Sequence, residues 1–191
     1  MLSVRHQVQV RQVFDAGGLI AYPTEAVYGI GCDPFNPAAV FRLLEIKQRD
    51  WRKGLILLAD SFSTVLKITQ PLNEKNWDLL STSWPGPFTF LIPANELIPE
   101  WVRGEPPPGM PPKVAIRIPS HPIARSVCET VGGLIISTSL NITGQPPVRD
   151  AFQAKKQWQH LVDYIVPGEV GGQKNPTQIQ DLISGECIRP S

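Results

Sequence analysis

Thr24 and Glu25 place a hydroxyl and a carboxylate directly behind an apolar strand signal, Gly18-Leu19-Ile20-Ala21, within the run Ala21-Tyr22-Pro23-Thr24-Glu25-Ala26-Val27-Tyr28-Gly29-Ile30-Gly31. A strand running into a polar, glycine-bearing turn is a common way to build a ligand site. A tight turn between core elements accounts for Pro23 and the glycines but not for Thr24-Glu25. Further on, Lys47, Arg49, Arg52 and Lys53 put four cations in seven positions. Cations favour helix C-termini through the dipole, so a solvated helix end is one reading of them. Lys47, however, lies seven residues after Val40, on the stripe that faces the core. It should therefore rise at the rim of a sheet, where a cation is placed to meet phosphate.

Arg117 sits in a strand pattern whose Val114, Ile116 and Ile118 alternate onto one face, leaving Ala115 and Arg117 on the other. Small next to charged suggests an open pocket wall. A guanidinium in a sheet needs an anionic partner, and a ligand carboxylate or phosphate can accept its fork. An internal salt bridge to an Asp or Glu is the other reading of the same pattern. Ser137-Thr138-Ser139-Leu140-Asn141-Ile142-Thr143-Gly144 is rich in hydroxyls and amides and ends in Gly, which suits either an anion nest or ordinary Asx and Ser/Thr turns. Trp84-Pro85-Gly86-Pro87-Phe88-Thr89 reads as a structural turn into a strand. His121, between Ser120 and Pro122, has no Ser or Cys partner implied by spacing, so a catalytic triad is not supported. His6 and His160 read as surface residues. The sequence contains neither Gly-x-x-x-x-Gly-Lys-Ser/Thr nor Gly-x-Gly-x-x-Gly, so a nucleotide would bind without a standard phosphate loop.

These groups need a scaffold. The chain of 191 residues suits one domain, residues 1–191, with 42% apolar and 18% charged residues as in ordinary globular proteins. A formal charge of +1 gives no global basic excess for non-specific nucleic-acid binding, so any RNA contact must use a local patch. The start, Met1-Leu2-Ser3-Val4-Arg5-His6, lacks a signal-peptide core and no run approaches a membrane span, which predicts a cytoplasmic protein. Cys32, Cys128 and Cys187 are far apart and fit neither a disulfide framework nor a zinc site. Glu105 to Pro112, with five prolines, must be an extended loop, either a lid or a stiff surface loop, the latter being the preferred reading.

Val4 to Phe14 fits an amphipathic helix stopped by Gly17-Gly18 and feeding a strand at Leu19–Tyr22. A second helix is signalled by Asn36 as N-cap, Pro37 at the first position and an apolar stripe through to Lys47. Leu55 to Ala59 reads as a buried strand. Further strands are expected over Phe88–Ile92, Val114–Ile118, Leu134–Ser137, Tyr164–Val166 and Gln178–Leu182. Helices are expected near Glu74–Ser81, Pro122–Val131 and Asp150–His160. The spacing predicts an α/β (α+β) fold: a twisted mixed, partly antiparallel sheet flanked by helices.

The Pro23-Thr24-Glu25-x-Val27-Tyr28-Gly29-x-Gly31 wording closely resembles the signature of the YrdC-like family. The resemblance continues in order through Lys47-x-Arg49, Lys53-Gly54-Leu55, Trp84 to Thr89, Val114 to Pro122 and Ser139-Leu140-Asn141-Ile142-Thr143-Gly144. It implies a YrdC-like fold with an open concave basic surface. It also implies threonylcarbamoyl-AMP synthase activity, in which L-threonine, bicarbonate and ATP give threonylcarbamoyl-adenylate and pyrophosphate. Partner proteins would then carry the group to the adenosine beside the anticodon of tRNA. The resemblance assigns Thr24, Arg117 and Ser139 to threonine, and Lys47, Arg49, Lys53, Asn141 and Arg189 to the nucleotide. It further implies that Lys47 and Arg49 would stabilise the charge developing in the reaction, and that Mg2+ would accompany the triphosphate.

The sequence departs from the family pattern in places. Asp50 stands where many members have Pro, and Thr138 and Leu140 replace the usual Pro and Ala. The late Ser-Thr-Val-Val-Asp block appears only as Asn175-Pro176-Thr177-Gln178-Ile179. The chain resembles the short, single-domain bacterial form. An RNA-binding module is the chief alternative, with Lys47, Arg49, Arg52 and Lys53 lining a surface for double-stranded RNA, tRNA or rRNA. A carbamoyl-adenylate enzyme, as in related domains of hydrogenase-maturation proteins, would usually carry additional zinc-bearing domains.

Overall fold

The computed structural model describes residues 1–173, 175 and 177–190; Pro176 of the late block lies outside the described residues. Among them, nine strands form one sheet. In chain order these are β1 (Ile20–Pro23), β2 (Tyr28–Gly31), β3 (Ile56–Ala59), β4 (Phe88–Pro93), β5 (Lys113–Arg117), β6 (Leu134–Ser139), β7 (Tyr164–Ile165), β8 (Gln178–Asp181) and β9 (Cys187–Arg189), and they lie in the order β7-β1-β2-β6-β3-β5-β4-β8-β9. Pairs β1/β7, β3/β5 and β4/β8 are parallel and the rest antiparallel, the mixed sheet that the spacing predicts.

Among the described residues seven α-helices flank it: α1 (Val4–Asp15), α2 (Pro37–Lys47), α3 (Phe62–Ile68), α4 (Glu74–Ser83), α5 (Glu100–Arg103), α6 (Pro122–Val131) and α7 (Ala151–Trp158). Local signals set their ends. Asn36 Oδ1 accepts from Ala39 N at 3.2 Å and Pro37 opens α2, while Gln48 at φ 49° turns the chain out after Lys47. His121 caps α6 with its ring, and Gly132 at φ 95° ends it.

Alternation along the strands divides the sheet's faces. Leu19, Ala21, Tyr28, Ile30, Leu57, Ala59, Val114, Ile116 and Ile136 join the larger core, together with Val40, Leu43 and Leu44 of α2 and Leu80 of α4. On the opposite face, Ile20, Tyr22, Leu58 and Ile135 pack with Val10 of α1 and Ala124, Val127, Cys128 and Val131 of α6. These two helices cover only part of that face. Beyond them Gly29, Ile56, Ala115, Arg117, Ser137 and Ser139 face an open hollow.

Strand β2 and the short elements α3, α5 and β9 come in addition to the elements anticipated from the sequence. The Glu105–Pro111 stretch is exposed, as expected of a surface loop, and turns at Pro107–Met110. Cys32 and Cys128 are buried and Cys187 is exposed.

Candidate functional site

The open part of the sheet forms a hollow of about 300 Å³. Its walls come from places that the sequence separates widely: the loop after β1, the end of α2, strand β5, the end of β6, the lead into β8 and strand β9. Thr24, Glu25, Lys47, Arg49, Arg117, Ser139, Asn141, Thr177 and Arg189 all line it. Lys53 does not. It lines a smaller hollow of 160 Å³ that shares Arg49, Ile56, Ser137, Thr138 and Arg189 with the first.

The β1–β2 connection is a tight loop closed on Thr24. Thr24 N and Oγ1 both donate to Val27 O, at 3.0 and 2.8 Å, which spends the hydroxyl proton and leaves its oxygen as an acceptor. Glu25 points the other way. One of its oxygens accepts from Arg117 Nη1 at 2.5 Å, and the other accepts from Ser120 N, Ser120 Oγ and His121 N. Burial works to raise the Glu25 pKa. The Arg117 charge and the hydrogen bonds outweigh that, and the net shift is downward. Arg117 thus has the internal partner that the sequence left open, yet it also faces the hollow, and its buried Nε has no hydrogen-bond partner among the described residues.

Lys47 is 3% exposed. Its Nζ donates to Ser139 O, to Asn141 O at 2.6 Å and to Asn141 Oδ1 at 2.8 Å. The carbonyl of Lys47 accepts from Thr143 N and Oγ1, so the last turn of α2 grips the segment after β6 at both ends of one residue. Burial, reinforced by the nearby Arg49, pulls the Lys47 pKa down to about 8. The ammonium rises into the hollow as the helical stripe predicts, but it arrives with three acceptors already in place.

Ser139 Oγ donates to Asn141 Oδ1 at 2.6 Å, and Asn141 Nδ2 donates to Gln145 O at 2.5 Å, so this segment is a network of fixed donors and acceptors. Arg49 Nη2 donates to Gly54 O at 3.0 Å, while its buried Nε has no hydrogen-bond partner among the described residues. Arg189, on β9 at the rim, donates to Thr177 O at 2.8 Å. Partial desolvation, then Arg49 and Arg117, lower its pKa. Arg52 leaves the cluster: it pairs with Asp50 and Glu105 and lies over the Trp51 ring.

The lining therefore sets four cations, Lys47, Arg49, Arg117 and Arg189, against one carboxylate, and that carboxylate is fully engaged. Among the described residues, two buried guanidinium N–H groups, Arg49 Nε and Arg117 Nε, lack hydrogen-bond partners. Such a site suits an anionic ligand. Sequence reasoning left Glu25 without a role because its partners lie 92 to 96 positions away. Gly29, Ser137 and Thr138, noted in sequence only as parts of their motifs and given no role of their own, also line the hollow.

Comparison with known proteins agrees with this architecture. The Sua5/YciO/YrdC family model, described as telomere recombination, matches residues 12–191. A threonylcarbamoyl-AMP synthase of Pseudomonas putida is 43% identical over 188 residues, covering 98% of both chains. The crystal structure of P. abyssi Sua5 complexed with L-threonine superposes with a TM-score of 0.86 at 28% identity, over 96% of this chain and 53% of that longer one. E. coli YciO shares the fold, with a TM-score of 0.83 at 24% identity over 100% of this chain and 93% of its own.

Proposed function

The chain belongs to the Sua5/YciO/YrdC family, and from that premise we propose that it is a threonylcarbamoyl-AMP synthase, an ATP-dependent enzyme that joins L-threonine, bicarbonate and ATP. The observation that carries this reading is the convergence, in one hollow, of the oriented Arg117 with its spare Nε, the Ser139–Asn141 network and the cations Arg49 and Arg189. Arg117 takes the threonine carboxylate, with Thr24 and Ser139 offering polar atoms to the amine and hydroxyl. Arg49, Lys53 and Arg189 take the phosphates, and Asn141 contacts the nucleoside. Lys47 holds the Ser139–Asn141 carbonyls in register and contributes its charge close to the α-phosphate.

The chemistry needs no enzyme nucleophile. The threonine amine captures bicarbonate-derived carbon dioxide as a carbamate. A carbamate oxygen then attacks the α-phosphate, the bond to the bridging oxygen breaks and pyrophosphate leaves with the electron pair. Rate comes from placing three reactants together and from cations preorganised where charge develops. Glu25, the sole carboxylate lining the hollow among the described residues, is taken by Arg117, Ser120 and His121. We therefore assign Mg2+ to the triphosphate's own oxygens rather than to a protein cage.

Lys47 and Arg117, at 3% and 5% exposure, lie too deep to reach an RNA backbone lying across the sheet, which favours a small substrate over RNA as the occupant. Hand-over of the product to tRNA-modification partners and its attachment beside the anticodon complete the proposed role. The test is pyrophosphate release from ATP in bicarbonate buffer, with L-threonine present, omitted or replaced by L-serine. Release that needs threonine and bicarbonate and is lost in Arg117→Ala is expected; a folded protein giving no threonine-dependent release overturns the reading.

A further inference from the structure

The smaller hollow, over β3, β4, β5, β8 and β9, is a direct extension of the first, because Arg49, Ile56 and Arg189 belong to both. Its floor is apolar, from Leu91, Ala115 and Ile179, so nothing there supplies counter-charge. Its cations are Arg49, Lys53, Arg103 and Arg189. None of the four is in an ion pair among the described residues, although six other cationic side chains are. The neighbouring cations on β5 are neutralised, Lys113 by Asp181 and Arg117 by Glu25. This extension therefore gathers four cations with no carboxylate in its lining.

Arg103 is the member that no sequence pattern singles out, and the backbone places it deliberately. Leu55 N donates to Val102 O at 2.8 Å and Glu105 N to Arg52 O at 3.0 Å, so the two segments run side by side and bring Arg103 beside Lys53. Gly54 and Gly104 make that approach possible: a Cβ on Gly54 would lie 2.9 Å from Arg103 O, and one on Gly104 2.6 Å from Arg52 O. The guanidinium of Arg103 makes no hydrogen bond or ion pair among the described residues.

Resting on the synthase reading, the geometry points to this extension as the seat of the terminal two phosphates of ATP and of the pyrophosphate they become, with Arg103 as a further binding residue. When the carbamate oxygen displaces the bridging oxygen from the α-phosphorus, the departing pyrophosphate carries the added negative charge into the cluster of Arg49, Lys53, Arg103 and Arg189. The adenylate stays in the first hollow. Low dielectric beneath the cluster strengthens this attraction relative to an open surface.

Calorimetric titration of inorganic pyrophosphate and of AMP into the wild type, Arg103→Ala, Arg103→Lys and Arg103→Glu tests this. Pyrophosphate binding should weaken about tenfold in Arg103→Ala and further in Arg103→Glu, stay within about threefold in Arg103→Lys, and AMP binding should not change. Arg103 is half-exposed, and circular dichroism with urea titration verifies that each variant is folded. Unchanged pyrophosphate affinity in the folded Arg103→Glu variant overturns the inference, as does an equal loss for AMP, which would seat the nucleoside there. Threonine-dependent turnover of the wild type is measured in parallel, so a failure of the synthase reading registers separately from a failure of the pyrophosphate seat.

Discussion

Glu25 and Arg117 meet in the hollow at 2.5 Å, with 4% and 5% of their surface exposed. The second carboxylate oxygen holds Ser120 and His121, so a single acid anchors both the guanidinium and the turn that leads into α6. Burying two charges is costly unless both are well hydrogen-bonded, and among the described residues the buried Nε of Arg117 has no hydrogen-bond partner. That leftover donor gives the site an oriented guanidinium edge with one demand unmet.

Glu25→Gln should cost about 3–5 kcal/mol in urea denaturation, because it strands a buried Arg117 charge. The folded pKa of Glu25 lies below its ordinary 4.5, so its contribution is complete above that value and is lost as pH falls from 4.5 through the lower folded value. The acid limb of wild-type stability over that window should therefore flatten in the variant. Equal stability of the two proteins at neutral pH would show that the pair contributes nothing net.

Lys47 gives two opposite pH trends. Its folded pKa of about 8 is below the ordinary 10.5, so the folded protein binds this proton less tightly than the unfolded chain does. Its contribution to stability should rise from pH 8 to pH 10.5. ATP binding should weaken over the same range as the positive charge is lost, by about tenfold if nucleotide raises this pKa by about one unit. Lys47→Met should bind ATP weakly at every pH and lack both trends. Matching pH profiles for the two proteins, measured by calorimetry and chemical denaturation, would rule out Lys47 as the titrating group.

Gly54→Ala tests the cation cluster through its backbone. Gly54 has φ 66°, and an added Cβ would meet Arg103 O at 2.9 Å, with a rigid backbone on both sides. A loss of about 1–3 kcal/mol in stability is expected, with weaker ATP binding as Arg103 and Lys53 move apart. Threonine binding, more distant in the hollow, should hold. Normal ATP binding in a destabilised Gly54→Ala protein would separate the crossing from the site.

The parts of this arrangement that sequence makes legible are those with local causes. The Asn36 cap, Pro37 and the Val40–Lys47 stripe define α2 and bring Lys47 to the sheet, and the Val114–Ile118 alternation puts Ala115 and Arg117 on the open face. Strand β2 escapes because Gly29 and Gly31 interrupt its apolar pattern, and β9 because it is short and exposed. What Lys47 and Glu25 bond to depends on chain segments about ninety residues away, and no local pattern encodes that. Arg103 is equally silent in sequence, since its position comes from two glycines at a backbone crossing.

Gly29→Ala probes where threonine sits. Gly29 faces the hollow opposite Ser139, and a Cβ there would lie 3.3 Å from Thr24 Cγ2 and 3.4 Å from Ser137 Oγ. Its φ is outside the left-handed region, so alanine meets no backbone penalty and the cost falls on the space above Thr24. One extra methyl in a fitted pocket changes discrimination by about tenfold or somewhat more. The KM for threonine should rise by that factor while the KM for ATP stays within about twofold. Serine, lacking the methyl, should lose less, so the variant should discriminate less between the two amino acids. If ATP instead of threonine were the substrate whose KM rises, the amino-acid end of the hollow would have to be reassigned away from Thr24.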